Sequence, residues 1–409
     1  MKEIRKTYKF RLYPNKEQRK FLESHFGACR FVHNYFWGKY KNSQLPGKTQ
    51  LQKELKELKK TDEYSWLNDI NSQSLQVSLH NLIRAYKRAF SPEIVKERRK
   101  AIEKATSDKQ KAKAVMFGFP KFKSKKSLRQ SFTVPQNVRL ESGKLHIPKL
   151  KSGISARLHR EVKGTVKQAV ILRENDRYYV CLSVIENIEI PQRVFSPVGI
   201  DMGLHSFITT SDGEKYDLPH WLEKTEKRLK ILQRRLSRKE KGSHRWWKTV
   251  LKISRLHEKV KNQRRDFLHK LSIAIAKRYT HIAVESLSVK NMLRNHYLAK
   301  SISNAAWNMF LSMLKYKGEW YGSFLYKADN FYPSSKTCSI CGYKLDKLPL
   351  SRRTWTCPQC GVVHDRDVNA ARNLLNDMLS GLERPLDARG GYSVACEAGS
   401  LRLCEARRG

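Results

Sequence analysis

CSICGYKLDKLPLSRRTWTCPQCGVVHDRDVNAARN, residues 338–373, is the stretch from which the rest of the chain can be read. Its two CxxC pairs, Cys338/Cys341 and Cys357/Cys360, are separated by fifteen residues, the spacing of a four-thiolate zinc ribbon or knuckle. Each pair bends a tight turn that aims two sulfurs at one tetrahedral ion, and Gly342 and Gly361 permit the close backbone approach such turns need. The alternatives are two disulfides or unligated thiols. Four thiolates leave no open coordination position, so zinc here is structural and the chemistry lies beside it. HDRDVNAARN follows at once and delivers a carboxylate onto a helix start.

Working outward, the 409 residues have room for two to four domains. Lys+Arg number 82 against 38 Asp+Glu, a net charge of +44. Such an excess opposes compaction by self-repulsion, so it reads as the footprint of a long polyanion. Nucleic acid is favoured over a membrane surface: the sequence carries no run of 18 apolar residues, no signal-peptide core and no lipidation motif. Cys29, Cys181, Cys396 and Cys404 show no paired spacing, which fits a reducing, cytoplasmic setting.

Residues 4–13 alternate apolar and basic groups and end at Pro14-Asn15, a strand closed by a turn. From Lys16 the period becomes helical, with one or two helices through Tyr35, another at 50–59 and a third at 73–90. Leu75, Val77, Leu79, Leu82, Ile83, Tyr86 and Phe90 form the inward stripe of the third, while Gln73, Gln76, Asn81 and Arg84 on its other faces could reach DNA. Residues 91–130 hold thirteen Lys/Arg against four Asp/Glu. This stretch is either a solvated linker or, where Phe117, Phe119 and Phe122 interleave with Lys121, Lys123, Lys125 and Lys126, a base-stacking and phosphate-holding strip.

Strand patterns follow at 131–134, 144–148, 165–174 and 177–186, with Asn175-Asp176 as a hairpin turn. With the N-terminal strand they close a small β-barrel into which the helical segment is inserted. Past Pro191 and Pro197, residues 196–218 read as two or three strands around Asp212-Gly213. Residues 221–278 are two long basic helices broken near Gly242; Arg234, Arg235 and Arg264 lie on this candidate phosphate-tracking hairpin. A strand at 280–287, a helix at 303–320 and a strand at 322–329 lead to the ribbon.

Three acids stand where acids should be rare. Asp201 sits in the apolar strand VGIDMG, Glu285 ends the apolar strand IAVES, and Asp367 opens a helix. A carboxylate on a core strand is costly unless paired or bound to a cation. Three on converging elements suit two magnesium ions across a phosphodiester, because magnesium takes hard oxygen ligands and keeps positions for water and phosphate. Taken singly, Asp367 reads as a helix N-cap and Glu285 as a strand-end ion pair. Asp365 is a rival ligand, and His364 a neighbour of the acids.

GIDMG, AVES and the ribbon followed by HDRDVNAARN resemble the split RuvC nuclease of TnpB proteins, which insertion sequences encode. YKFRLYPN, GACRFVHNYFW and FGFPKFKS carry the resemblance to the N-terminus, so it covers about residues 1–377. It implies an α/β multi-domain fold. The expected parts are a wedge-like β-barrel at 1–15 and 116–195 and a helical recognition lobe at 16–115. An RNase H-like RuvC core at 196–336 and 362–377 encloses the four-cysteine zinc ribbon at 337–361, and a disordered tail occupies 378–409.

The implied catalytic acids and magnesium ligands are Asp201, Glu285 and Asp367, and the implied zinc ligands are Cys338, Cys341, Cys357 and Cys360. The implied activity is RNA-guided cleavage of double-stranded DNA beside a short flanking motif, directed by a noncoding RNA. Two alternatives remain: an RNA-guided DNA-binding regulator without cleavage, and an unguided RNase H-like transposase or resolvase.

Overall fold

In the computed structural model, residues 1–219, 221–287, 292, 302, 305–329, 332–349 and 351–383 are described, apart from the side chains of 221–224 and 383. The chain divides into two compact units, Met1–Ile188 and Glu189–Gly409.

In the first unit, β1 (Lys2–Tyr13) buries Ile4, Tyr8, Phe10 and Leu12, as period-two alternation demands. Pro14-Asn15 then switches the chain to helix. The Asn15 side chain accepts from Gln18 N, and the Gln18 side chain accepts from Asn15 N, a reciprocal cap that starts α1 (Lys16–Tyr40). The expected one or two helices are thus one uninterrupted helix. α2 (Lys48–Leu58), a 3₁₀ segment (Asp62–Asp69) and α3 (Ser72–Arg88) follow. Leu75, Leu79, Leu82 and Ile83 are buried on α3, whereas Phe90, beyond its end, is 53% exposed and leaves the expected stripe.

The lysine-rich stretch after it forms α4 (Pro92–Glu103) and α5 (Asp108–Val115), within the segment expected to be helical. Ser91 and Pro92 supply the N-terminal signals of α4, which buries no side chain. Strands β2 (Arg129–Val134), β3 (Arg139–Glu141), β4 (Lys144–His146), β5 (Ile154–Arg157), β6 (Thr165–Glu174) and β7 (Arg177–Ile188) complete the unit.

With β1 these strands form a seven-stranded sheet in the order β2-β6-β7-β1-β5-β4-β3, so β1 pairs along its length with β7, the last strand of the unit. The β6–β7 turn runs through Asn175 and Asp176 at φ +51° and +68°, the left-handed pair of a type I′ hairpin. The helices share one core with this sheet: Phe26 meets Phe132 of β2 edge-on at 5.3 Å, and Leu75 and Leu79 belong to the same cluster as Val180 and Leu182.

The second unit is built on β8 (Pro197–Asp201), β9 (Ile208–Thr210), β10 (Lys215–Tyr216), β11 (His281–Val284) and β12 (Phe324–Lys327). Their order is β10-β9-β8-β11-β12, with β10 and β8 each antiparallel to β9 and with β11 and β12 parallel to β8. Gly213 at φ +90° makes the tight β9–β10 turn. α6 (Trp221–Ser237) and α7 (His244–Arg278) are the long basic helices, and α8 (Trp307–Tyr321) packs on α7.

The ribbon hairpin, β13 (Thr354–Thr356) with β14 (Val363–Asp365), runs directly into α9 (Arg366–Glu383). The helix therefore continues six residues past the expected boundary at 377. The remaining tail, with Cys396 and Cys404, lies outside the described residues.

Candidate active site

β8 and β11 run parallel with Val284 paired to Ile200, so the next residue of each strand, Asp201 and Glu285, emerges at the same carboxyl end of the sheet. Glu285 lies one residue past β11 and accepts the backbone N–H of Met202. The third acid arrives by helix packing. A Cβ at Gly199 would sit 1.8 Å from the carbonyl oxygen of Ala371 on α9, so only glycine lets this helix lie on β8. Asp367 is one helical turn before Ala371, and Asp201 two residues after Gly199. The close approach thus brings the two carboxylates to the same end.

The electrostatics register this meeting. Burial first, then the charges of Glu285 and Asp367, hold the Asp201 carboxyl well above the usual range, against the opposing pull of Arg366 and Arg353. Burial pushes Glu285 up to about 7. Three acids with this mutual repulsion are a donor set that a hard divalent cation would relieve, so the residues fit magnesium chemistry.

Asp365, the rival candidate, has another task. Its Oδ1 accepts from Asp367 N at 3.0 Å and Val368 N at 3.1 Å, and its Oδ2 meets Lys215 Nζ at 2.7 Å. Burial would raise its carboxyl, yet Lys215 and these backbone donors bring it below the ordinary value. Asp365 is the cap of α9, which leaves the Asp367 side chain free of that duty. Asp367 instead accepts from Arg353 Nη1 at 3.3 Å.

The four cysteine sulfurs lie within 4.8 Å of one another, the only His, Cys, Asp or Glu group so gathered among the described residues. Cys338 and Cys360 are 3.7 Å apart and Cys341 and Cys357 3.5 Å, too far for disulfides and suited to one tetrahedral ion. Gly342 and Gly361 adopt φ +78° and +69° and donate back to the carbonyls of Cys338 and Cys357. His364 faces this cluster rather than the acids: its Nε2 lies 3.1 Å from Cys338 Sγ and its ring against Trp355.

Sequence reasoning missed what joins the ribbon to the acids. Asn369 accepts from Ser339 N and donates to Thr337 O, and Asn373 donates to Ser334 O at 2.7 Å and Thr337 O at 2.6 Å. Asn376 adds Ser339 O at 3.3 Å. The spacing i, i+4, i+7 in NAARNLLN was the available signal, since it sets three amides on one helical face. Arg353 and Arg366 were missed as well. Their role is legible only once the ribbon folds back beside Asp367.

The residues proposed to touch nucleic acid are dispersed. In the first unit Gln76, Lys121 and Lys123 are exposed and Gln73 is half-buried. Phe119 has its ring engaged by Trp37, Tyr86, Phe90 and the guanidinium of Arg98, whereas Phe122 is 55% exposed. In the second unit Arg234 and Arg235 are exposed on the last turn of α6, and Arg264 is half-buried on α7. No helix among the described residues is long and apolar enough to cross a membrane.

Family models match three segments: one described as "Probable transposase" over 180–296, one as "Cas12f1-like, TNB domain" over 307–374, and one as "Helix-turn-helix domain" over 1–42. In this chain the last segment folds as β1 and the single helix α1. A Streptomyces pristinaespiralis protein named as an RNA-guided DNA endonuclease is 35% identical over 386 residues, 92% of this chain and 90% of that protein. InsQ of Escherichia coli, named likewise, is 32% identical over 392 residues, covering 90% of this chain and 91% of InsQ. A cryo-EM structure of a Cas12f1–sgRNA–target DNA complex aligns with 92% of this chain and 99% of its own at 16% identity and a TM-score of 0.48. With a third of its residues shared with curated relatives along nine-tenths of both chains, this protein belongs to the TnpB family.

Proposed function

We propose that this protein is an RNA-guided DNA endonuclease of an insertion sequence, cutting double-stranded DNA beside a short flanking motif at a site formed by Asp201, Glu285 and Asp367. The observation that carries the reading is the convergence of these acids at one end of β8, β11 and α9, with burial and mutual repulsion raising Asp201 and Glu285. The names of the two relatives supply the RNA guide and the DNA substrate.

The sheet order β10-β9-β8-β11-β12 supports an RNase H-like RuvC core, and the seven-stranded sheet with its inserted helices supports a wedge and a recognition segment. The proposed parts keep the boundaries expected above, except that α9 extends to Glu383.

In this reading the three carboxylates would hold two magnesium ions, which would supply Lewis acidity for the attacking water and the leaving 3′ oxygen. Asp201 and Glu285, on the ends of adjacent parallel strands, give a rigid pair of oxygens whose separation the sheet register sets. Asp367 is carried in by α9, whose start is fixed by the Asp365 cap and whose length is clamped to the ribbon by asparagines. Arg353, 54% exposed, balances the acids from the ribbon side. Zinc on the four thiolates would hold the hairpin that presents both Arg353 and Asp365.

The test is plasmid cleavage with magnesium by protein co-expressed with its flanking locus, against a library of target-flanking sequences. RNA-dependent cutting beside one enriched motif is expected. Alanine at Asp201, Glu285 or Asp367 should lower the rate at least a thousandfold while RNA stays bound. Cutting that survives RNase would move the assignment to the transposase that one family description names; RNA binding without any cutting would make the protein a guided regulator.

A further inference from the structure

A groove of about 1180 Å³ in the first unit opens between α3, α4, α5 and the 116–122 segment. Lys41, Arg84, Arg88, Lys113 and Lys121 line it, and no Asp or Glu does. Phe117 and Phe122 stand on the same lining with 40% and 55% of their surfaces exposed, beside the amide of Asn81. Exposed rings next to unopposed cations suit a ligand that carries both planar faces and negative charge.

The segment that bears the rings is held on both sides. Arg98 Nε donates to Phe117 O at 2.8 Å, and its guanidinium lies 4.4 Å over the ring of Phe119. His33 Nε2 donates to Lys121 O at 3.1 Å, and the Asn34 amide clamps Lys123, donating to its carbonyl at 2.9 Å and accepting its N–H at 2.8 Å. Gly118 at φ +86° makes the turn, where a Cβ would meet Ile94 Cγ2 at 2.2 Å. Phe119 is thereby tucked inward while Phe117 and Phe122 stay open. A pinned backbone with open rings pays little ordering entropy on binding.

A duplex hides the faces of its bases along its whole length, so these rings are of use only to bases that have left the stack. A folded noncoding RNA carries unpaired loops and bulges from the outset, whereas target DNA arrives paired and exposes a single strand only after the guide has opened it. We propose that this groove takes unpaired nucleotides of the RNA partner, with phosphates on the five cations, bases against Phe117 and Phe122, and a base edge on Asn81. The assignment rests on the reading of the chain as an RNA-guided protein.

The experiment uses the full chain with three probes: a 12-mer of uridine carrying one central 2-aminopurine, its deoxythymidine counterpart, and a 12-base-pair mixed duplex. Phe117→Ala/Phe122→Ala should weaken binding of the uridine probe about tenfold, relieve its 2-aminopurine quenching and leave duplex binding within twofold. Arg84→Ala/Arg88→Ala should weaken all three probes and flatten the salt dependence by one to two units of slope. An unchanged uridine affinity and quench in the phenylalanine variant, a loss as large for the duplex, or a loss confined to the deoxythymidine probe would each overturn the assignment. Both rings are exposed, so a melting curve matching wild type certifies the fold. Guided cleavage by the wild type runs alongside. Failure there removes the functional reading, while cleavage with unaltered variant binding removes only this groove.

Discussion

Glu285 shows how a single carboxyl reports on the site around it. Burial holds it near 7, above its value in an unfolded chain. Between those values the folded chain carries the extra proton, so this contribution to stability is full below about pH 4.3 and is lost as pH rises through 7. The slope is about 1.4 kcal/mol per pH unit. A divalent cation held by the proposed acid site would bind the deprotonated acids and reverse that loss. The melting temperature without divalent ion should therefore fall between pH 5 and 7.5, and the rise on adding millimolar magnesium should be larger at pH 7.5 than at pH 5. Asp201→Asn should shrink both effects, and a magnesium effect that ignores pH would sink the carboxylate assignment.

A second pair of residues separates capping from chemistry. Asp365→Ala removes the cap and the Lys215 partner, and should cost about 1 kcal/mol of stability with a partial loss of cutting. Asp367→Ala should abolish cutting with little change in the denaturation midpoint. The reverse pattern would exchange the two roles.

At the scale of elements, the site depends on one helix lying close to one strand. Gly199→Ala would drive a methyl group into Ala371 O, so α9 must lift from β8. Destabilisation of about 1–3 kcal/mol is expected, together with loss of cutting, and chemical denaturation measures the first. Wild-type stability in this variant would contradict the packing described.

The ribbon is the other support of α9. Removing zinc with a chelator should release the first knuckle and, through Asn369 and Asn373, loosen the start of the helix. Amide hydrogen exchange should then rise at 366–376 as well as at the cysteines. Protection of α9 that survives chelation would show the ribbon to be a passenger.

Elements also mark where sequence patterns fail. The resemblance implied helix through 115, but α4 and α5 could not be placed individually because they have no apolar stripe; their signals are caps, Ser91-Pro92 and Ser107, in a charged background. α1, α3 and β7 were legible because one face of each is apolar.

At the scale of the whole molecule, the charge of +44 predicts that contact with phosphates is a large source of binding free energy. Affinity for RNA and for DNA should fall linearly on a log–log plot against salt. If six or more phosphates are contacted, the loss between 50 and 200 mM salt is about a thousandfold, and titration at four salt concentrations measures it. A nearly flat plot would mean that the excess lysine and arginine serve something other than a polyanion.

The residue types and spacings were enough to single out four cysteines that gather in space, three rare acids and a polyanion as the expected partner, because these depend on local chemistry that any fold must accommodate. Distances along the chain could not say that Asp365 caps while Asp367 pairs with Arg353, that His364 turns to the thiols, or that Phe119 is enclosed while Phe122 is open. Each of those depends on which side chains approach from elsewhere: Lys215 from the β10 strand, Cys338 from the first knuckle, Arg98 from α4. A side chain's type states what it can do. The groups that packing brings within about 3–4 Å of it decide which of those things it does.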